Sequence, residues 1–142
     1  MAGSRERARG LLLKALYQWQ LAGHSREELK AQYSGLAEFA RIDQKYFESL
    51  LDCVLDDHAS LDALIGQLSA RGLGQLDAVG RGILLLALAE LKHRPDVPVK
   101  VVINEAVNLA KRFGPAESYR FVNAVTDKAA KLLRSDSAAA TA

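Results

Sequence analysis

Apolar residues recur at steps of three and four along most of this chain, a spacing that predicts helices rather than strands. In residues 4–21, Ala8, Leu11, Leu12, Ala15, Leu16 and Trp19 fill one arc of a helical wheel. Arg7, Gly10, Lys14, Tyr17 and Gln18 fall on the opposite side, and Arg5 and Arg9 lie near one edge of the apolar arc. Ser4 is a cap and Gly23 a stop. Ser25–Glu28 is a capping-box pattern that opens a second helix through Leu29, Tyr33 and Leu36. Asp43 is placed to cap a third, with Tyr46, Phe47, Leu50, Leu51, Val54 and Leu55 inward. Ser60 is placed to start a fourth, with Leu61, Leu64, Ile65 and Leu68, and the glycine-containing run Ser69–Gln75 reads as a loop.

Asp77 then precedes a run from Val79 to Leu91 that is apolar on nearly every side, which belongs in the middle of a bundle. Gly80 and Gly82 weaken this helix but let a neighbour approach closely. Residues 97–114, VPVKVVINEAVNLAKRFG, begin with β-branched residues and yet separate cleanly on a helical wheel. Val102, Ile103, Ala106, Val107, Leu109, Ala110 and Phe113 cover one side; Asn104, Glu105, Asn108, Lys111 and Arg112 form a narrow polar stripe. Pro98 suits the first turn and Gly114 the stop. The Asn104–Glu105 pair is expected to hold neighbouring loop backbone. A last helix starts near Pro115–Ser118, with Phe121, Val122, Val125, Ala129, Leu132 and Leu133 inward. The expectation is an all-α protein, a single compact domain of about seven helices over residues 1–134, with a disordered tail at 135–142.

A chain of 142 residues suffices for one self-supporting core. The single cysteine, Cys53, excludes an internal disulfide and fits a reducing compartment. No secretory signal opens the sequence and no apolar run reaches membrane-spanning length, so a soluble cytoplasmic protein is expected. Net charge is only +2, but it is unevenly spread. Residues 1–25 hold Arg5, Arg7, Arg9 and Lys14 against Glu6; residues 26–62 are strongly acidic; residues 92–134 are strongly basic. If the two basic ends fold together they make one positive surface suited to a polyanion. An unevenly charged, solvated surface is the competing explanation.

No catalytic constellation is visible. His24, His58 and His93 are scattered without metal-ligand spacing, so no metal or other cofactor is implied. Cys53 lacks an activating neighbour. Gly80-Arg81-Gly82 is not followed by the third glycine of a dinucleotide fingerprint. Asp52, Asp56 and Asp57 crowd one helix face and read as solvated. Neither an enzyme nor a small-molecule substrate is expected.

Two blocks carry a family likeness. One is Arg7-Ala8-Arg9 leading to Ala15-Leu16-Tyr17-Gln18-Trp19; the other runs from Asp96-Val97-Pro98 through Ile103-Asn104-Glu105-Ala106 to Lys111-Arg112-Phe113-Gly114 and Phe121-Val122-Asn123. Together they resemble the NusB family of bacterial transcription antitermination factors. A NusB-like domain also fronts certain rRNA cytosine methyltransferases, and the end of this chain at residue 142 speaks against that arrangement. The resemblance implies two helical subdomains and binding to boxA RNA of nascent rRNA leader transcripts. It further implies NusE, a ribosomal small-subunit protein, as partner, and an RNA polymerase complex with NusA and NusG. On this resemblance the RNA-binding residues are Arg5, Arg7, Arg9, Lys14, Tyr17, Lys111, Arg112, Phe113, Glu117, Ser118, Arg120 and Phe121. Tyr17, Asp77, Gly80 and Arg81 mark the NusE region, spanning the first helix and residues 73–84. Glu117 could cap the last helix, read a base amine or lower affinity by repulsion. The alternatives are a helical protein-interaction module without specific RNA binding and, more remotely, a helix-turn-helix DNA binder.

Overall fold

The structure, a computed structural model, describes residues 3–70 and 76–134. It contains six α-helices: α1 (Ser4–Ala22), α2 (Arg26–Ser34), α3 (Gln44–Leu68), α4 (Ala78–His93), α5 (Val99–Phe113) and α6 (Ser118–Leu133). A short 3-10 segment, Ala37–Arg41, joins α2 to α3. Among the described residues there is no strand. The expected tail at 135–142 and most of the expected 69–75 loop lie outside the described residues.

Local capping follows the sequence at α2, α3 and α4, whereas the N-cap of α1 is Gly3 and the expected Ser4 cap does not form. Ser25 and Glu28 form the reciprocal capping box of α2. Asp43 accepts from the Tyr46 amide at the start of α3, and Asp77 accepts from the Gly80 amide at the start of α4. Ser60 does not divide α3. It lies on the exposed side, while buried Leu61 and Ile65 continue the arc set by Leu50 and Val54. One serine in a helix interior costs only a fraction of a kcal/mol, about 0.5 relative to alanine, so burial wins. The seventh element is therefore the 3-10 segment, not a split α3.

Helix α4 is the axis of the molecule. Ile83 through Leu91 are all buried, and α4 packs against α1, α3, α5 and α6. Gly82 permits a close approach of α1, since a Cβ there would lie 2.9 Å from the Leu13 side chain. At Gly80 the constraint comes instead from its own cap, because a Cβ would lie 2.7 Å from Asp77 Oδ1. Helices α1 to α3 form one group and α5 with α6 another, joined through α4. Arg134, just past α6, is buried and clamps this junction. Its guanidinium donates to the backbone carbonyls of Glu90, Leu91, Arg94 and Val97; Glu90 and Arg94 also accept backbone amides, whereas Leu91 and Val97 have no backbone donor among the described residues.

Candidate nucleic-acid interface

The exposed side of α1, the 3-10 segment and the last turn of α5 enclose an open groove of about 300 Å³. Arg7, Lys14, Arg41 and Arg112 line it, with Glu38 as the opposing charge and Leu11, Ile42 and Phe113 as apolar wall. All four cations are exposed. None has a carboxylate partner among the described residues; Arg112 lies over the Phe113 ring at 4.8 Å. The groove continues into an apolar slot formed by Leu13, Tyr17, Val79 and Phe113, with Lys14 shared between the two. Tyr17 and Phe113 are 43% and 37% exposed. Next to Val79, Gly80 opens a second groove with Asp77, Glu117, Ser118, Arg120 and Phe121. Arg7 lines the first groove and Arg120 the second, and the two grooves share no lining residue. Helix α1 and the α5–α6 pair meet at the first groove through Arg112 and Phe113, while the bulk of each rests on α4.

Several expected site residues are engaged elsewhere. Arg9 is 4% exposed and forms a bidentate pair with buried Glu90, at 2.9 and 3.1 Å from Nε, and 2.9 Å from Nη2. It cannot reach an RNA strand without unfolding α1 from α4, so its place among the RNA ligands is corrected. The Tyr46 hydroxyl also donates to Glu90. Burial opposes the Arg9 charge, yet Glu90 holds the guanidinium firmly protonated. Burial, then Glu90, pushes the Tyr46 hydroxyl far above its ordinary value. Arg5 lies over the Tyr46 ring at 4.3 Å and pairs with Asp43 and Asp96 at 3.6 and 3.7 Å, away from the groove. Arg81 is bound to Asp62 and Gln20 and lies 5.4 Å from the Trp19 ring. It braces α4 against α1 and α3 from within the region expected to contact NusE.

The turn between α5 and α6 is unusual. Glu117 has φ 67°, the only positive φ outside glycine among the described residues. It makes no side-chain cap; its carboxylate instead faces Arg120 at 3.7 Å, both well exposed. A Cβ on Gly114 would collide with Ser118 Oγ and lie 2.9 Å from the Ala110 carbonyl oxygen, so this turn demands glycine. Ser118 Oγ is buried against Gly114 with no hydrogen-bond partner among the described residues, while the residue itself lines the second groove. Lys111 Nζ sits 5.0 Å and Arg120 5.8 Å from the Tyr119 ring. Phe121 packs against the core while also lining the second groove. Asn104 is exposed, and among the described residues neither Asn104 nor Glu105 hydrogen-bonds loop backbone; burial and the charge of Glu6 raise the Glu105 pKa.

The acidic face of α3 is not simply solvated. Arg26 binds Asp52 and Asp56, Lys30 binds Asp52, and Lys92 and His93 bind Asp57. Among the described residues no cluster of metal-ligating side chains exists, and no helix is long and apolar enough to cross a membrane. Burial raises the pKa of Cys53, as suits an unactivated thiol. Sequence reasoning missed Arg41, because it sits in a stretch whose average charge is acidic; the only signal was its place beside the Asp43 cap.

Comparison with known proteins supplies the remaining information. The NusB family matches residues 6–131. The transcription antitermination protein NusB of Alcanivorax borkumensis is 44% identical over 131 residues, covering 92% of this chain and 87% of that protein. The NusB of Paraburkholderia phymatum is 41% identical across the whole chain and 98% of its own length. Among solved structures, NusB of T. maritima superposes with a TM-score of 0.78 at 31% identity, covering 92% of this chain and 93% of its own. A crystal structure of NusB and NusE in complex with dsRNA shares the fold, with a TM-score of 0.70 at 24% identity, over 89% of this chain and 96% of that one. This chain belongs to the NusB family of transcription antitermination factors.

Proposed function

We propose that this protein binds single-stranded boxA-type RNA of nascent rRNA leader transcripts together with NusE. In that state it joins an RNA polymerase complex with NusA and NusG and suppresses termination, with no catalytic step. The observation that carries the reading is the convergence of Arg7, Lys14, Arg41 and Arg112 in one groove, without internal carboxylate partners among the described residues. Cations left open in this way release counterions when phosphates replace water, which gives affinity that falls with salt. Exposed Tyr17 and Phe113 beside them offer faces for unstacked bases. A neighbour of the same fold solved with NusE and double-stranded RNA supports both partner classes. The NusE contact is assigned to the α1 face at Tyr17 and the start of α4 around Asp77 and Gly80. Residues 1–134 are proposed to act as one unit.

The test is a titration, with and without NusE, against a boxA-type single strand, a scrambled strand, duplex RNA and duplex DNA at two salt concentrations. Sequence-selective binding strengthened by NusE is expected. NusE binding without any RNA preference would favour a protein-interaction module instead, and a duplex DNA preference a helix-turn-helix reader. Arg7→Ala with Arg120→Ala should weaken RNA binding at unchanged helicity by circular dichroism.

A further inference from the structure

Arg81 ties α4 to two other helices at once. Its Nε and Nη2 donate to the two carboxylate oxygens of Asp62 on α3, at 2.9 and 2.5 Å, and its Nη1 donates to Gln20 Oε1 on α1 at 3.2 Å. Gln20 closes the circuit, because its Nε2 donates to the Ala78 carbonyl oxygen at 2.8 Å, three residues back along α4. Gly82 lies beside this junction, where a Cβ would sit 2.9 Å from the Leu13 side chain and 3.5 Å from Gln20 Nε2, so α1 approaches α4 closely here. The brace is partly open to water, with the Arg81 and Asp62 side chains 25% and 15% exposed. Burial of Ile83 through Leu91 holds α4 in the core independently of it. A part-exposed ion pair adds little energy beside that burial. What a two-pronged guanidinium–carboxylate contact does supply is a fixed direction.

The position of the brace gives that direction a use. Tyr17 lies one turn before Gln20 on α1, Asp77 precedes Ala78, and Gly80 precedes Arg81. Tyr17 on one side and Asp77 with Gly80 on the other are the two halves of the face assigned above to NusE. Among the described residues, the hydrogen bonds of Gln20 are the ones that join α1 to the first turn of α4. Asp62 stands on α3, outside that face. We propose that Arg81 and Asp62 are positioning residues for the NusE contact: the Asp62–Arg81–Gln20 chain sets the register of α1 against the start of α4, and with it the spacing of the two halves of the face. This rests on the NusE reading above and gives Arg81 an indirect part in it. A direct contact would call for a free guanidinium, whereas each guanidinium nitrogen here already donates within the chain.

The test measures NusE affinity of the full chain well below its unfolding temperature, for wild type, Asp62→Asn, Arg81→Lys, Gln20→Met and the Asp62→Asn, Gln20→Met double variant. Asp62→Asn keeps the Arg81 charge and releases it. Positioning predicts a loss of about fivefold or more, within the range by which members of one hydrogen-bonded network couple. Arg81→Lys keeps the charge without the fork and should lose as much. The losses in the double variant should not add, since both changes cut the same chain. RNA affinity of the chain alone should stay at the wild-type value throughout. Unchanged or tighter NusE binding by Asp62→Asn makes Arg81 a direct contact or a purely structural one, and overturns the proposal. If Asp62→Asn does not fold, unchanged binding by Gln20→Met overturns it in the same way. Fully additive losses, or an equal fall in RNA affinity, also overturn it, because they mark separate contacts or a general loosening. Wild-type chain that does not bind NusE removes the reading beneath it as well.

Discussion

The flank built by α2, α3 and the end of α4 and the groove beside α1 each carry several cations, but the cations have opposite fates. On the flank, Arg26, Lys30 and Lys92 face Asp52, Asp56 and Asp57 within 4 Å, so charge is neutralised internally. In the groove, Arg7, Lys14, Arg41 and Arg112 stand together without such partners among the described residues. The α1 helix shows the same contrast two residues apart: Arg7 is open, whereas Arg9 is locked to Glu90 in the core. The difference teaches that counting basic residues does not locate a polyanion site. What counts is which cations the fold leaves unsatisfied.

The contrast can be broken most severely at Arg9. Arg9→Met should destabilise the protein by about 3–5 kcal/mol, because Glu90 is left charged and buried. Arg9→Met with Glu90→Leu should recover most of that loss. Chemical denaturation measures both, and a mild Arg9→Met phenotype with lost RNA affinity would return Arg9 to the RNA surface. Arg134→Ala should cost about 1–3 kcal/mol by leaving the Leu91 and Val97 carbonyls unpaired, without changing RNA binding by the folded protein. Glu117→Gln removes a carboxylate that competes for exposed Arg120. RNA affinity should rise a few-fold with thermal stability unchanged, since such exposed pairs contribute about 0–1 kcal/mol.

The smallest effect concerns Glu105, half-buried and near Glu6 and Glu90 as well as Arg9. Burial first, and then Glu6, raises its folded pKa above the unfolded value. The carboxylate therefore weakens the fold at neutral pH, and the penalty disappears as pH falls below the ordinary glutamate range, where both states are protonated. Glu105→Gln should give a small stability gain at pH 7 and none near pH 3, read from denaturation midpoints at the two pH values.

Most of the fold was legible because burial writes its period into the sequence. The arcs of α1 and α5, the all-round apolar α4, and the caps Ser25, Asp43 and Asp77 are local signals. Ser60 misled because a good cap residue also tolerates a helix interior when its neighbours must be buried. The site was less legible, since pairing is a property of distance in space. Arg9 and Glu90 are 81 residues apart, and nothing near Arg9 announces its partner beyond its position at the edge of the apolar arc. Arg81 hides in the same way behind Asp62, and Arg41 behind the acidic average of its segment.

The salt dependence of boxA-type RNA binding, compared between two charge-matched variants, tests the central claim most directly. Arg7→Gln with Arg112→Gln removes two cations from the groove; Arg26→Gln with Lys30→Gln removes two from the paired flank. The groove variant should lose affinity and show a slope smaller by about 1.4, while the flank variant keeps the wild-type slope. Equal slopes in the two variants would contradict the account, because RNA would then be responding to net charge and not to the cations the fold leaves open.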